Sequence, residues 1–185
     1  NKLGKIEGLP AQAMAIVVAG SLLVLVISYP FAKQIFQFYN ASGTVLDFCV
    51  TYFKIRIFGF PFSLFVFAVF GTFRGLQNTY YPMIIAIIGA VLNVVLDLVF
   101  VYGVEGFIPA MNIEGAAYAS LIAQVTMALI ALILLLKKTS ISLKISLPFH
   151  EEIPNLLGMI GNLFIRTIAL NIALYFATAY ATGYG

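Results

Sequence analysis

Apolar residues run along this chain in five long blocks, separated by short polar breaks. A transmembrane helix needs roughly 20 mostly apolar residues to cross about 30 Å of hydrocarbon. The pattern predicts a first span over about 11–38, its last turns kinked at Pro30, which lacks the N–H that the helix ladder uses. NASG at 40–43 predicts a turn. A second span covers about 44–73 with Pro61 in its middle, tolerated because neighbouring helices can satisfy the freed backbone groups. A third covers about 81–102, a fourth about 113–136, and a fifth begins near Pro154. RGLQNT (74–79), GVEGFIPAMN (103–112) and KKTSISLKISLPFHEE (137–152) connect the later spans, the last being the longest polar segment. The expected fold class is all-α: a polytopic transmembrane helix bundle with five predicted spans.

Composition agrees and narrows the chemistry. The 185 residues are 62% hydrophobic and 9% charged, with a mean hydropathy of +1.05. A soluble domain is nearer 45–50% apolar and about 25% charged. With no Trp, Tyr must carry any aromatic belt at the membrane interface. One cysteine, Cys49, excludes an internal disulfide, and one histidine, His150, excludes a histidine metal cluster. No P-loop, serine-nucleophile, zinc or dinucleotide motif is present, so no metal site of those kinds, ATP hydrolysis or other catalysis is expected. The chain starts without Met and stops inside an apolar segment, and is read as a fragment of a longer polypeptide.

Charge gives an orientation. The net charge of +3 reports topology here rather than nucleic-acid binding. Lys2, Lys5, Arg74, Lys137, Lys138, Lys144 and Arg166 fall on one side, against Lys33, Lys54 and Arg56 near helix ends on the other. The positive-inside rule then puts the N-terminus and the 74–79 and 137–152 segments in the cytoplasm. Lys54, Arg56 and Arg74 are expected to be interfacial anchors, and Arg166 to snorkel to the cytoplasmic face. Gly71 and Gly75 form a weak GxxxG packing signal.

The acids single out one position. Glu7, Glu105, Glu151 and Glu152 lie in loops or at ends, while Asp47 and Glu114 are expected in the first turn of a helix, where the macrodipole favours an acid. Only Asp97 lies well inside a span, roughly 24 Å along the helix from Tyr81. Asn93 is four residues earlier and shares its face, and Ala86, Gly89 and Ala90 extend that face as a stripe of small residues. Small residues admit a second helix, so the stripe is expected to face protein or a cavity rather than lipid. An Asp near the centre of a span costs about 2.5–3.5 kcal/mol on insertion scales and is by default functional. It can bind and release a proton, or hold a cation with the Asn93 carbonyl. The alternative is structural: Asp97 accepts hydrogen bonds from a neighbouring helix or reaches the outer interface.

FRGLQNTYYPMIIAIIGAVLNVVLDLVFVYG (73–103), followed by IEGAAYASLIAQ (113–124), resembles the multidrug and toxic compound extrusion (MATE) family. That family has an RG-x-(G/Q)-(D/N)-T-x-x-P turn, an N-x-x-x-D helix ending in Tyr-Gly or Phe-Gly, and a small-residue helix start. FIRTIALNIAL (164–174) is similar to the seventh helix of the branch named after the DNA-damage-inducible F protein. The resemblance implies a twelve-helix, two-lobe transporter of which this chain holds about helices three to seven. Residues 1–136 would be part of the N-lobe, 137–153 the cytoplasmic inter-lobe loop, and 154–185 the first helix of the C-lobe.

It implies no cofactor beyond H+ or Na+ as coupling ion, with organic, often cationic and amphipathic substrates. Further partners would be the lipid bilayer and the rest of the protein's own helices, and the location a multi-pass position in the cell's inner (plasma) membrane. Its N-lobe cation site maps to Asn93 and Asp97, with Ser120, matching a Thr of the sixth helix, and Tyr52, matching a Tyr of the fourth, as candidate lining of the cavity. The partner Asp of the first helix falls outside this sequence. Asn78 stands where many members have Asp, and Leu98 where some members of the branch have Pro. A lipid-linked oligosaccharide flippase of the same superfamily is a second reading, and a non-transporting membrane scaffold a third.

Overall fold

The computed structural model describes residues 8–139, 141 and 151–182, with side chains for all of these except 163, 164 and 175–182. Lys2, Lys5, Glu7, Lys144, His150 and most of the 137–152 segment lie outside the described residues. Helices α1 (Leu9–Ser28), α2 (Ala32–Phe38), α3 (Gly43–Arg56), α4 (Phe60–Gly75), α5 (Tyr80–Tyr102), α6 (Asn112–Lys138) and α7 (Ile153–Thr182) follow one another. Five stretches are long and apolar enough to cross a membrane, with α3 and α4 forming one span, Gly43–Gly75. The expected fold class is therefore observed.

Two prolines shape the spans. The predicted first span does not merely kink; it breaks. α1 ends at Ser28, Tyr29–Phe31 form a turn, and α2 restarts at Ala32. Pro30 offers no N–H to the turn before it, and its ring crowds the carbonyl four residues back. Pro61 acts more gently. The chain tightens into a single 3-10 turn, Ile57–Gly59, in which the Phe60 N–H donates to the Ile57 carbonyl instead of one residue further back. α4 then continues with Pro61 in its first turn, where a missing N–H costs nothing. Gly59 lets α6 approach this joint: a Cβ added there would run into the Gln124 amide.

The connections use local chemistry. Asn40 and Gln77 take positive φ, 60° and 59°, and close the ends of α2 and α4. At the second, the Gln77 N–H donates to Arg74 O and the Asn78 N–H to Phe73 O, both at 2.9 Å. Asn78 Oδ1 then accepts from the N–H groups of Tyr80 (3.1 Å) and Tyr81 (3.5 Å), capping α5. An Asp would accept the same bonds, so the departure at Asn78 leaves the turn intact. α5 runs unbroken past Leu98. Glu114 lies in the first turn of α6 as expected. Asp47 does not lie in the first turn of α3, because that helix already starts at Gly43.

α6 is the common neighbour. α3, α4 and α5 all pack on it, α5 most extensively. All its buried positions but Leu135 are small: Gly115, Ala117, Ala119, Ala123, Ala128 and Ala131. In lipid, helix association depends on this close packing rather than on a hydrophobic drive. At one end Met14, Val66, Val69, Phe73, Ile85 and Leu135 interlock as the core of α1, α4, α5 and α6. Tyr39, Tyr80 and Tyr102 are exposed at helix ends, where a tyrosine belt is expected.

Candidate functional site

The α5–α6 interface brings Asn93 and Ser120 together, with Asp97 one turn further along α5. Gly89 is buried, and a Cβ added to it would strike the Met127 thioether. One turn further, Asn93 Nδ2 donates to Ser120 Oγ at 3.3 Å. This orientation leaves the Asn93 carbonyl oxygen as an acceptor. A further turn along, Asp97 is half-buried, and its Oδ1 is shut from solvent with no hydrogen-bond partner. Hard cations take oxygen ligands. Asp97 and Asn93, one turn apart on α5, and Ser120 of α6 offer a carboxylate, an amide carbonyl and a hydroxyl, short of a closed coordination shell. Among the described residues no group of three or more His, Cys, Asp or Glu side chains could hold a metal ion.

Other expectations divide. Ser120 joins Asn93 as the resemblance implied. Tyr52 stands exposed on α3, and no hydrogen bond links it to Asn93 or Asp97. Of the small-residue stripe, Gly89 packs on α6, whereas Ala86 and Ala90 are exposed. Gly71 and Gly75 meet nothing within 4 Å of an added Cβ, so the GxxxG signal is not used as a helix contact. They instead line a groove of about 850 Å³ with residues of α1 and the start of α7, and none of the candidate site residues borders it.

The cations also divide. The Arg74 Nε–H donates to Phe70 O of its own helix at 3.2 Å, and Arg166 is exposed. Lys54 lies 5.5 Å from the Tyr29 ring centroid, a cation–π contact toward α1. Arg56 is different. Its Nη1 is buried without a hydrogen-bond partner, as is Gln124 Oε1. Sequence position marked Arg56 as an anchor near a helix end; in the structure it is 13 residues into the 33-residue Gly43–Gly75 span. The signal that could have found it is the length of that span: 33 residues rise about 50 Å, more than the hydrocarbon core is thick, and Arg56 falls near its middle.

Comparison with known proteins identifies the family and the fold. The MatE family model matches residues 5–99. Protein DETOXIFICATION 43 of Arabidopsis thaliana is 31% identical over 99% of this chain and 31% of its own length. Multidrug export protein MepA of Staphylococcus aureus (strain bovine RF122 / ET3-1) is 24% identical over 91% of this chain and 37% of its own. DNA damage-inducible protein F of Escherichia coli (strain K12) is 29% identical over 68% of this chain and 26% of its own. Among solved structures, "Crystal structure of MATE in complex with MaD3S" superposes with a TM-score of 0.71 at 23% identity, over 81% of this chain and 34% of that one. The chain spans about a third of the length of these relatives.

Proposed function

This chain belongs to the MatE family, and from that premise we propose that it forms part of a secondary active antiporter. A multi-pass membrane protein follows from the family and the five apolar spans; its place in the cell's inner (plasma) membrane belongs to the proposal. An organic compound is exported while a proton or sodium ion enters, and the ion binds at Asp97 with the Asn93 carbonyl. Residues 74–79 face the cytoplasm, and the 137–153 segment joins the two lobes.

The observation that carries the proposal is the fixed Asn93–Ser120 hydrogen bond beside an Asp97 carboxylate oxygen that is buried and unpartnered. An ion shifts a conformational equilibrium only by as much as it prefers one state. A carboxylate in a span is such a point of preference, because the cost of its charge depends on what surrounds it. The name of one relative, a multidrug export protein, supports export of organic compounds. Tyr52 enters as a wall of the substrate cavity rather than as an ion ligand, since it makes no bond to the pair.

The test is gradient-driven efflux from vesicles holding the full-length protein, for wild type and Asp97→Asn at matched protein levels. Loss of gradient-dependent efflux with retained folding is expected. Undiminished efflux would remove Asp97 from coupling and favour a structural role. Collapsing the sodium gradient alone separates the ions: lost transport assigns sodium, and persisting transport assigns protons.

A further inference from the structure

Arg56 is a charge that the proposed cycle leaves unused. Along Gly43–Gly75 it lies about 20 Å from one end and about 28 Å from the other. A hydrocarbon core of about 30 Å centred on that span contains it, roughly 5 Å from the midplane. Snorkelling serves residues near the ends of a span, and Arg56, although the last residue of α3, lies well inside Gly43–Gly75. A guanidinium cannot shed its charge in a protein. Arg56 is half-buried with its Nη1 shut from solvent and without a partner, a place that suits an anion.

The acids of the described residues can be checked in turn. Asp47 is on the same helix, nine residues earlier. Glu114 is in the first turn of α6, and Glu105, Glu151 and Glu152 lie outside the helices. Asp97 remains, and its Oδ1 also lacks a partner. α6 sets both residues at similar depth. Gly59, three residues after Arg56, meets Gln124 and Leu121 of α6. Spans two and four run in the same direction, so Arg56 is level with about residue 121, beside Ser120 and therefore at the depth of Asn93. Asp97 is one helical turn, about 6 Å, further along. Lys54 is no rival, since it is turned to the Tyr29 ring.

We propose that Arg56 is the internal counter-cation of Asp97. The guanidinium pairs with the carboxylate when the coupling ion has left, and the incoming ion displaces it. This rests on reading Asn93 and Asp97 as the ion site. In the structure neither Arg56 Nη1 nor Asp97 Oδ1 is bonded. Two separated charges of opposite sign in a low dielectric gain by closing, because each otherwise bears its desolvation cost alone. Competition between Arg56 and the ion then sets how readily the ion leaves.

The experiment uses the full-length protein in vesicles, with sodium or protons as the probe. Arg56→Gln is expected to lower the half-saturating concentration of the coupling ion by about tenfold or more, as befits loss of a close charge pair, and to slow turnover. Arg56→Lys keeps the charge and stays near wild type. In thermal melts, Asp97→Asn strands the guanidinium and lowers the melting temperature, and Arg56→Gln added to it restores part of the loss. An unchanged half-saturating concentration in Arg56→Gln, or strictly additive melting shifts, would overturn the pairing. A raised KM for an anionic substrate with unchanged ion dependence would do so as well, assigning Arg56 to the substrate instead. Failure of the ion-site reading is separately visible, as undiminished efflux by Asp97→Asn with Arg56 intact.

Discussion

Gly115 gives the sharpest check on the packing that builds the site. It lies in the first turn of α6, and a Cβ added there would sit 2.5 Å from the Phe100 carbonyl oxygen and 2.9 Å from the Val101 nitrogen. Ordinary contact begins near 3.4 Å, and these neighbours are backbone atoms that cannot rotate away. In Gly115→Ala, α5 must therefore withdraw by about 0.9 Å, the difference between those two distances. Overpacking of this kind costs roughly 1–3 kcal/mol, against about 1 kcal/mol gained from the better helix propensity of Ala. A withdrawal of that size also takes Asn93 Nδ2 and Ser120 Oγ, now 3.3 Å apart, beyond hydrogen-bond range. Gly71→Ala is the control, since nothing lies within 4 Å of its added Cβ. Gly89→Ala is intermediate, because the Met127 thioether can swing aside. Melting of the purified full-length protein should rank Gly71→Ala at or above wild type, Gly89→Ala below it, and Gly115→Ala lowest. Gly115→Ala should also weaken ion-driven efflux. If Gly115→Ala melts and transports like Gly71→Ala, the α5–α6 backbone contact does not hold the site, and the reasoning fails.

Two further outcomes follow from the same geometry. Ser120→Ala removes the acceptor that orients the Asn93 amide; interhelical bonds in membranes average about 0.6 kcal/mol, so melting should change little while the half-saturating ion concentration rises several-fold, and Ser120→Thr should keep both, as ion titration of efflux would reveal. Pro61→Ala restores the missing N–H and favours a regular helix through Ile57–Gly59; efflux should slow while thermal stability holds or rises, and an unchanged rate would free the joint from any part in transport.

How much the sequence reveals differs by element. The spans at 81–102 and 113–136 are legible to within a residue or two because continuous apolar runs end at polar turns with their own capping residues, such as Asn78. The Asn93–Asp97 pair is legible because polar side chains stand out in lipid-soluble helices. Ser120 is not visible that way: one hydroxyl among GAAYAS carries no signal until resemblance or packing pairs it with Asn93. The break at Pro30 and the 3-10 turn before Pro61 differ through their surroundings, since neighbouring helices decide whether a proline ends a helix or only tightens it. Depth is the least legible property. A 33-residue span is longer than the membrane is thick, so hydropathy alone cannot say which residues lie at its centre, and Arg56 reads as an end residue. Ala86 and Ala90 read as buried because they are small, yet both are exposed among the described residues.

The arrangement also says where movement can occur. α5 and α6 touch at backbone level at Gly115 and side by side at Gly89, so they cannot slide without the clashes just described. The joint between α3 and α4 is different. It already departs from the regular helix ladder at Ile57–Gly59, and beside it the Gln124 Oε1 atom is buried with no partner. Arg56 is the last residue before that joint. A rotation there would re-aim the guanidinium without moving α5, the helix that carries Asn93 and Asp97. On the proposed pairing, closing Arg56 onto Asp97 would be a motion of α3, the helix that carries the charge, over α6, on which it packs. The ion would then be sensed as a change in one joint rather than as a repacking of the whole lobe, which is why Pro61→Ala and Arg56→Gln should both slow turnover while only Arg56→Gln changes the affinity for the ion.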